Sequence, residues 1–347
     1  MKAAVLSGPL KLKVEEMGMP KVKPDEALVK VKASGICGSD VECYRGHSKE
    51  GRYDIAPYVP GHEWSGEVVE IGSEVVAFKS GDRVVGDCVI GCGRCYYCKS
   101  GMNPAFCTDR LEYGFMPTAN GGDEEYLKVK EVALHKIPTA MTWEEGALVE
   151  PFSVSYHGIW GVGGGVDASQ DVAVLGAGPI GLFALVTAKV AGARTFVVEQ
   201  LENRAVIARK LGADAIIDPS RENPTKRILD LTNEHGVDLV VEASGSDEAI
   251  AATVDMAKRN GRVVYIGHSI GRKIPVEIGK ILWKGVTLVG KAGSPYFFPR
   301  TIDFMSRARN TVDLASIITH RFPLEKAVEA FELASERSRS VKILILP

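Results

Sequence analysis

Four cysteines lie close together in the segment CGRCYYCKSGMNPAFC, which contains Cys92, Cys95, Cys98 and Cys107. Two C-x2-C steps followed by a fourth thiol can surround one tetrahedral metal ion with four thiolates. Iron–sulfur ligation uses the same residue type, but a closed four-thiolate site on a single loop is more commonly a zinc site. The pattern therefore predicts a zinc ion that has no open coordination position and plays a structural role.

A second motif, GAGPIG, follows the apolar run DVAVL and places Gly176, Gly178 and Gly181 at the start of a predicted helix. These glycines allow a tight turn, and a pyrophosphate can bind the N–H groups at the helix N-terminus. Glu199 ends the next apolar run and is predicted to bind the ribose hydroxyls, which favours NAD over NADP. Arg204 argues the other way, because an arginine near the ribose can accommodate a 2′-phosphate.

A third group of residues consists of metal-ligand types that lie far apart in sequence. They are Cys37 in GICGSDVEC, His62 and Glu63 in PGHEW, and Glu150 in LVEP. Each alone has an ordinary explanation, such as a small buried thiol, a turn histidine, a surface charge or a first-turn helix acid. Their occurrence together with a nucleotide motif and a separate thiolate cluster favours a second, reactive metal site.

The elements that must position these residues change in type along the chain. Up to about residue 145, runs such as EALVKVKAS, GEVVEIG and EYLKV predict short strands separated by Gly and Pro turns. After residue 151, apolar strand runs alternate with helical segments, which predicts βαβ units and a parallel, doubly wound sheet. FPLEKAVEAFELASE and VKILILP predict a final helix and strand.

Composition excludes several classes of partner. A length of 347 residues predicts two domains. The net charge of −2 gives no basic surface for nucleic acid. The longest uncharged run is interrupted by GAGPIG and no signal peptide is evident, so we expect no membrane association. Seven cysteines, an odd number, favour reduced thiols and a cytoplasmic location.

The order of these motifs resembles that of zinc-dependent medium-chain dehydrogenases, in the branch of polyol (sorbitol) and L-threonine dehydrogenases. The matching elements span nearly the whole chain and include GICGSD, PGHEWSGEVVEIG, FKSGDRVV, CGRCYYC, LVEP, GAGPIG, RKLGAD and GRVVYIG. The resemblance implies an α/β protein with a GroES-like, β-rich catalytic domain at residues 1–150. A Rossmann domain would follow at 151–290, and the chain would return to the catalytic domain at 291–347.

The resemblance also implies roles for individual residues. Cys37, His62 and Glu63 would hold a catalytic zinc, and Glu150 would contact the metal or its bound water. Ser39 would lie on the path of the departing proton. Zinc lowers the pKa of bound water from about 16 to about 7, and a bound alcohol should shift comparably before its hydride passes to the nicotinamide. The further predicted cofactor-binding residues are Ile180, Ile266, Gly267, His268 and Lys291.

We predict an enzyme with one catalytic and one structural zinc per chain that uses NAD to oxidise a secondary alcohol of a polyol, sugar or sugar acid. L-Threonine 3-dehydrogenase is the alternative within the family. A non-catalytic zinc- and nucleotide-binding redox sensor is the alternative of another class. The run ILWKGVTLVG is predicted to form an edge strand, and edge pairing predicts a homodimer or homotetramer.

The chain departs from its relatives at several positions. Glu42 stands where relatives usually carry a proton-relaying histidine, and a carboxylate can relay a proton with a different optimum pH. Asp123 and Glu124 replace a common Phe-Ala pair, and we expect a surface loop there rather than contact with a polyhydroxylated substrate. VGKAGSPYFF lacks the arginine–tyrosine pair of sorbitol dehydrogenases. Lys291 could instead meet a carboxylate, which keeps sugar acids and threonine open.

Overall fold

The computed structural model describes residues 1–47, 56–267 and 271–347. The predicted cofactor residue His268 lies outside these ranges. The chain divides into two compact units. The first comprises Met1–Glu150, Phe298–Arg307 and Leu314–Pro347, and the second comprises Pro151–Phe297 and Ala308–Asp313. The domain limits predicted from the sequence, 1–150, 151–290 and 291–347, stay a prediction.

Short strands dominate the first half of the chain, and longer helices alternate with strands in the second half. In chain order the strands are β1 (Lys2–Leu6), β2 (Leu12–Glu16), β3 (Glu26–Gly35), β4 (Glu63–Ile71), β5 (Arg83–Gly86), β6 (Val89–Ile90), β7 (Leu111–Glu112), β8 (Tyr126–Lys130), β9 (Leu134–Lys136), β10 (Asp171–Leu175), β11 (Arg194–Val198), β12 (Ala215–Ile217), β13 (Val237–Glu242), β14 (Ala257–Tyr265), β15 (Thr287–Gly290), β16 (Ile318–Pro323) and β17 (Lys342–Leu346).

The α-helices are α1 (Gly38–Arg45), α2 (Tyr96–Lys99), α3 (Trp143–Ala147), α4 (Val149–Tyr156), α5 (Pro179–Val190), α6 (Glu202–Lys210), α7 (Pro224–Leu231), α8 (Asp247–Met256), α9 (Ile278–Lys284), α10 (Phe298–Ala308) and α11 (Ala327–Ala334). A π-helical segment, His157–Val162, continues α4. Within the described ranges, every helix is too short or too polar to traverse a lipid bilayer.

The first unit is organised around a seven-stranded sheet with the order β16-β17-β3-β4-β5-β9, in which β8 also pairs with β3. β3 shows why this region forms strands: Val29 and Val31 are buried, whereas Lys30 between them is exposed. This period-2 alternation is typical of a strand with one face against a core. The C-terminal strand β17 pairs antiparallel with β3, so the end of the chain lies beside its first large strand.

The second unit contains a six-stranded parallel sheet with the order β12-β11-β10-β13-β14-β15. The central strand β10 is buried along Val172–Leu175, as expected for a parallel strand covered on both faces. The predicted fold class, a β-rich GroES-like part with a doubly wound parallel sheet, is confirmed. In the predicted edge strand ILWKGVTLVG, only Thr287–Gly290 is strand, because Ile281–Lys284 belongs to α9.

Candidate functional site

Three predicted metal ligands converge in the first unit. The ligand atoms of Cys37, His62 and Glu63 lie within 4.8 Å of one another, and we call this group the Cys-His-Glu cluster. β3 pairs with β4 in a register that places Gly35 opposite Glu63. Cys37 follows as the N-cap residue of α1. Strand register therefore brings the thiol beside a His-Glu pair that is distant in sequence.

The Cys-His-Glu cluster fits a zinc ion. Thiolate, imidazole and carboxylate are the ligand types of zinc sites, and three protein ligands leave the open position that catalysis requires. Oε1 of Glu63 is fully buried and has no hydrogen-bond partner among the described residues. A buried carboxylate oxygen without a partner is costly, and coordination of a metal would satisfy it.

Asp40 belongs to this site although the sequence did not point to it. Its Oδ2 accepts a 2.9 Å hydrogen bond from the Cys37 N–H, and its Oδ1 lies 3.2 Å from Nδ1 of His62. Such a carboxylate orients a metal-binding imidazole and fixes its tautomer. Desolvation opposes protonation of His62, but Asp40 and Cys37 outweigh it and raise the pKa of His62 well above its ordinary value. Asp40 lies three residues after Cys37, which is the spacing of a helix capping box. This spacing is the feature of the sequence that could have identified Asp40.

Lys342 is a second unpredicted member. Its ammonium Nζ lies 2.5 Å from Oε2 of Glu63 and also donates to the carbonyl of Ile36 at 3.0 Å, in full burial. Desolvation alone would lower the pKa of Lys342, but Glu63 and Cys37 more than offset it and raise that pKa. A lone lysine in the apolar run VKILILP was the sequence signal, because lysine is almost never buried without a partner.

The remaining residues of the predicted catalytic set lie on two helices. Glu150 is a buried residue of α4 and lies outside the group of ligand atoms that meet within 4.8 Å. Ser39 is half-buried in the first turn of α1. Glu42 lies one turn further along α1, with Oε2 at 3.6 Å from Nδ1 of His47. The catalytic roles of these three residues stay predictions.

Cys88 is an unpredicted neighbour of Glu150. Its Sγ lies 3.9 Å from Oε1 of Glu150. Desolvation, followed by the charge of Glu150, raises the pKa of Cys88 well above its ordinary value. The thiol of Cys88 is therefore held in its neutral form.

The four-cysteine loop, with Cys92, Cys95, Cys98 and Cys107, brings its sulfur atoms within 4.8 Å of one another. Backbone N–H groups of Arg94 and Cys95 lower the pKa of Cys92 to about 6. This shift favours the thiolate form that metal ligation requires. All seven cysteines of the chain are free thiols. The backbone N–H of Gly93 opposes the change, but desolvation and the thiols of Cys95 and Cys107 raise the pKa of Cys98 to about 11. The spacing of the four cysteines and the convergence of their sulfur atoms fit a structural zinc site.

The glycine motif of the second unit closes a tight turn between β10 and α5. Gly176 has a φ of 93°. A Cβ on Gly181 would lie only 1.8 Å from the carbonyl oxygen of Gly176, so only glycine fits there. Gly178 is the N-cap residue of α5. The turn leaves the N-terminal amides of α5 available for a pyrophosphate, which fits a dinucleotide.

Glu199 is buried at the end of β11 and supports this turn directly. Its Oε2 accepts a 2.8 Å hydrogen bond from the Ala177 N–H, and its Oε1 accepts another at 2.8 Å from Leu201. Arg204 lies beside the same turn, with a guanidinium nitrogen 3.5 Å from the position of a Cβ on Gly178. Both residues named for ribose recognition therefore lie at the glycine turn.

Other predicted cofactor residues lie at the same edge of the parallel sheet. Ile266 and Gly267 follow β14, and their N–H groups donate to the carbonyl of Glu242 at 2.9 and 3.0 Å. Lys291 follows β15. Ile180 lies in the first turn of α5. The carboxyl ends of the strands are the edge at which open α/β sheets bind ligands.

Two family models match the chain. The alcohol dehydrogenase GroES-like domain matches residues 23–139, and the zinc-binding dehydrogenase model matches residues 179–307. The first includes both cysteine-containing metal clusters, and the second begins inside the glycine motif at Pro179 and includes Gly181 and Glu199.

Similar proteins extend over the whole chain. Sorbitol dehydrogenase of Bacillus subtilis is 33% identical over all of this chain and 97% of its own length. L-Threonine 3-dehydrogenase of Bacillus licheniformis is 35% identical over 96% of this chain and 94% of its own. A zinc-binding dehydrogenase of Sinorhizobium meliloti, solved with NADP, has a TM-score of 0.91 at 31% identity and covers 100% of this chain and 99% of its own. The chain is an oxidoreductase that belongs to the zinc-dependent medium-chain dehydrogenase family.

Proposed function

We propose that this dehydrogenase uses zinc at the Cys-His-Glu cluster and NAD to oxidise a secondary alcohol of a polyol, sugar or sugar acid. The observation behind the metal assignment is the buried Oε1 of Glu63, which lacks a partner beside the Cys37 thiol and the His62 imidazole. Zinc supplies Lewis acidity, which makes a substrate hydroxyl acidic at neutral pH. Relatives named as dehydrogenases favour this function over a non-catalytic redox sensor.

The chain's own residues would orient the alcohol and move its proton. The Ser39 hydroxyl, two residues after Cys37, is our first proton acceptor. Glu42 is the next candidate, since its side chain is 46% exposed and can release a proton to water. Glu150 would supply a carboxylate at the cluster. Asp40 would hold the His62 ring in one orientation during turnover.

A second zinc would occupy the four-cysteine loop. Its four thiolates leave no open position, so this ion would stabilise the loop and take no part in the reaction. Free thiols at all seven cysteines support a reducing location such as the cytoplasm. Metal analysis of the purified chain should find about two zinc ions per chain. A stoichiometry near one would remove one of the two assignments.

NAD is the cofactor that the charges near Glu199 favour. A cleft of about 200 Å³ beside this residue is lined by the acids Glu199, Glu202, Asp218 and Glu222 and by two arginines. Arg209 and Arg221 are paired with Glu202 and Asp218 at 2.7 and 3.1 Å. Glu222 is likewise paired with Arg227 at 3.8 Å, which leaves Glu199 as the carboxylate that would repel a 2′-phosphate. Because the Sinorhizobium protein is bound to NADP, NADP is the competitor to test.

Glu199→Gln tests the cofactor assignment. The glutamine keeps the size of the side chain and one acceptor oxygen, but it removes the charge that would repel NADP. We expect the ratio of kcat/KM for NAD over NADP to fall by about tenfold, equivalent to about 1.4 kcal/mol. Glu202→Gln, at an exposed position of the same cleft, is the matched control and should change the ratio less. An unchanged ratio in Glu199→Gln would overturn the assignment.

The proposed substrate class rests on relatives that are named as dehydrogenases of polar alcohols. Asp123 and Glu124 give no support to a polyhydroxylated substrate, because both side chains are buried. A relative named L-threonine 3-dehydrogenase is as similar as one named sorbitol dehydrogenase, so threonine is the second candidate. Rates of NADH formation with polyols, aldonates, uronates and L-threonine will separate them. Failure with every alcohol would refute the proposed reaction.

A homodimer or homotetramer is the assembly that we propose. β15 is an edge strand of the six-stranded sheet, and unpaired edges invite pairing with another chain. The nearby helix α9 exposes Ile278, Leu282 and Trp283 at 70%, 81% and 72%. Sedimentation analysis should show two or four chains per particle, whereas a monomer at all concentrations would contradict the assignment.

A further inference from the structure

Asp123 is a fully buried acid to which the proposed reaction gives no role. Its Oδ1 accepts a 2.7 Å hydrogen bond from the hydroxyl of Ser34, which is also fully buried. A buried carboxyl group costs free energy unless its contacts compensate for it. Because burial of the Asp123 carboxyl group costs free energy, we looked for a role of this residue at the neighbouring metal cluster.

The Asp123–Ser34 hydrogen bond joins β3, which leads to Cys37, to the segment at Asp123, which packs beside the turn before His62. Ser34 lies near the end of β3, three residues before Cys37. Gly61 immediately precedes His62, and a Cβ on Gly61 would lie 2.5 Å from Oδ1 of Asp123 and 2.6 Å from Oγ of Ser34. The hydrogen bond is therefore packed directly against the backbone that leads into His62.

Backbone hydrogen bonds attach the same turn to the Asp123 segment. The N–H of Gly121 donates to the carbonyl of Val59 at 2.8 Å, and the N–H of Asp123 donates to the carbonyl of Pro60 at 3.1 Å. Backbone hydrogen bonds thus attach the turn before His62 to the Asp123 segment. The Asp123 side chain in turn attaches that segment to Ser34 of β3. Movement of His62 away from β3 would break these contacts together.

We propose that Asp123 and Ser34 act as a positioning brace, which fixes the separation of Cys37 and His62 before a metal ion binds. The inference rests on the metal-binding role proposed above for these two residues. A site whose ligands are ordered in advance avoids the ordering cost at the moment of binding. Removing residues that orient metal ligands typically weakens metal binding by about 10- to 100-fold.

The test follows zinc transfer from the full-length, zinc-loaded chain to a colorimetric chelator. We expect Asp123→Ala and Ser34→Ala each to weaken zinc binding at the Cys-His-Glu cluster by about tenfold. The double variant should bind no more weakly than either single variant, because both remove the same hydrogen bond. Asp123→Asn is the matched control and should bind like wild type, since its amide oxygen can still accept from Ser34.

The four-cysteine loop provides an internal control and should keep its zinc in every variant. The brace is refuted if Asp123→Asn loses as much affinity as Asp123→Ala, because charge would then be the cause. Wild-type affinity in Asp123→Ala refutes it as well, as does joint loss of zinc from both sites, which would indicate general unfolding. If wild-type protein binds zinc only at the four-cysteine loop, the proposed function fails, and this inference fails with it.

Discussion

The two candidate metal sites of the first unit are built in opposite ways. The four-cysteine loop takes all its ligands from residues 92–107, and three of its four cysteines are partly exposed. The Cys-His-Glu cluster draws on the end of β3 and the start of β4, and His62 and Glu63 are buried. It also has polar neighbours in Asp40 and Lys342. One site is local, and the other depends on the packing of the whole unit.

The difference has a physical consequence for metal binding. A local loop can gather its thiolates around an ion whenever its own residues are reduced. The buried cluster must hold charged ligands away from water, so each oxygen and nitrogen there needs a partner. Loss of one site should therefore leave the other intact, and the buried site should be the more sensitive to its neighbours.

The largest effect should follow from removing a ligand of the buried site. We expect His62→Ala to lower kcat/KM by about 1,000-fold or more, because metal Lewis acidity contributes several kcal/mol to catalysis. One zinc per chain should be lost, and the zinc of the four-cysteine loop should remain. Cys43→Ala, at a buried cysteine outside both groups, is the control for general damage and should keep both ions. Loss of both ions in His62→Ala would contradict the independence of the sites.

The next largest effect should come from Lys342→Met, which keeps the apolar stem and removes the ammonium group. Breaking a buried ion pair by removing one partner costs about 3–5 kcal/mol, since the other charge is left uncompensated. Zinc would compensate part of the Glu63 charge, so we expect the loss of unfolding free energy to be larger in zinc-free protein. Urea denaturation with and without zinc measures both values. Lys326→Met, at an exposed ion pair, is the control and should change stability little.

A pH-dependent effect should come from the buried acid Glu124, which follows Asp123 in the chain. Burial raises the pKa of Glu124 to about 8 from an ordinary value of 4.5. Between these values the folded state holds a proton that the unfolded state has lost, so Glu124 makes stability fall as pH rises. Within this window, each rise of one pH unit lowers the free energy of unfolding by about 1.4 kcal/mol through this one group. Above pH 8 the folded state has also lost the proton, and the decrease ends.

Glu124→Gln should remove this contribution. We expect the variant to gain stability relative to wild type as pH rises from 5 to 8, with little further change above pH 8. Urea denaturation at several pH values checks the difference between the two proteins. Glu125→Gln, at the adjacent acid, is measured alongside as the control for replacing a neighbouring carboxyl group. A constant difference between Glu124→Gln and wild type across pH would contradict the raised pKa.

The features that the sequence predicted well are encoded by short spacings and by hydrophobic period. The four cysteines are a local pattern, and the glycine motif needs only one strand and one helix around it. The alternation of strand and helix runs was enough to predict the parallel sheet, which is confirmed. Order of motifs along the chain was enough to identify the family, which the relatives confirm.

Other features were decided by tertiary structure alone. The expectation that Asp123 and Glu124 lie on a surface loop is wrong, because both are buried and bonded to Ser34 and Asn120. Two adjacent acids in the sequence give no sign of burial when one of their partners, Ser34, comes from a distant strand. Strand assignment for the start of ILWKGVTLVG is wrong for a related reason: a short apolar run has no period that separates helix from strand.

By itself, then, the sequence determined which residue types are available for metal and dinucleotide chemistry, because those motifs depend on neighbours along the chain. Tertiary structure decided which carboxylates and which lysine surround the Cys-His-Glu cluster. Lys342 reaches Glu63 only because β17 pairs with β3, which in turn pairs with β4. Strand register and burial arise from the folded whole, so local patterns cannot specify them.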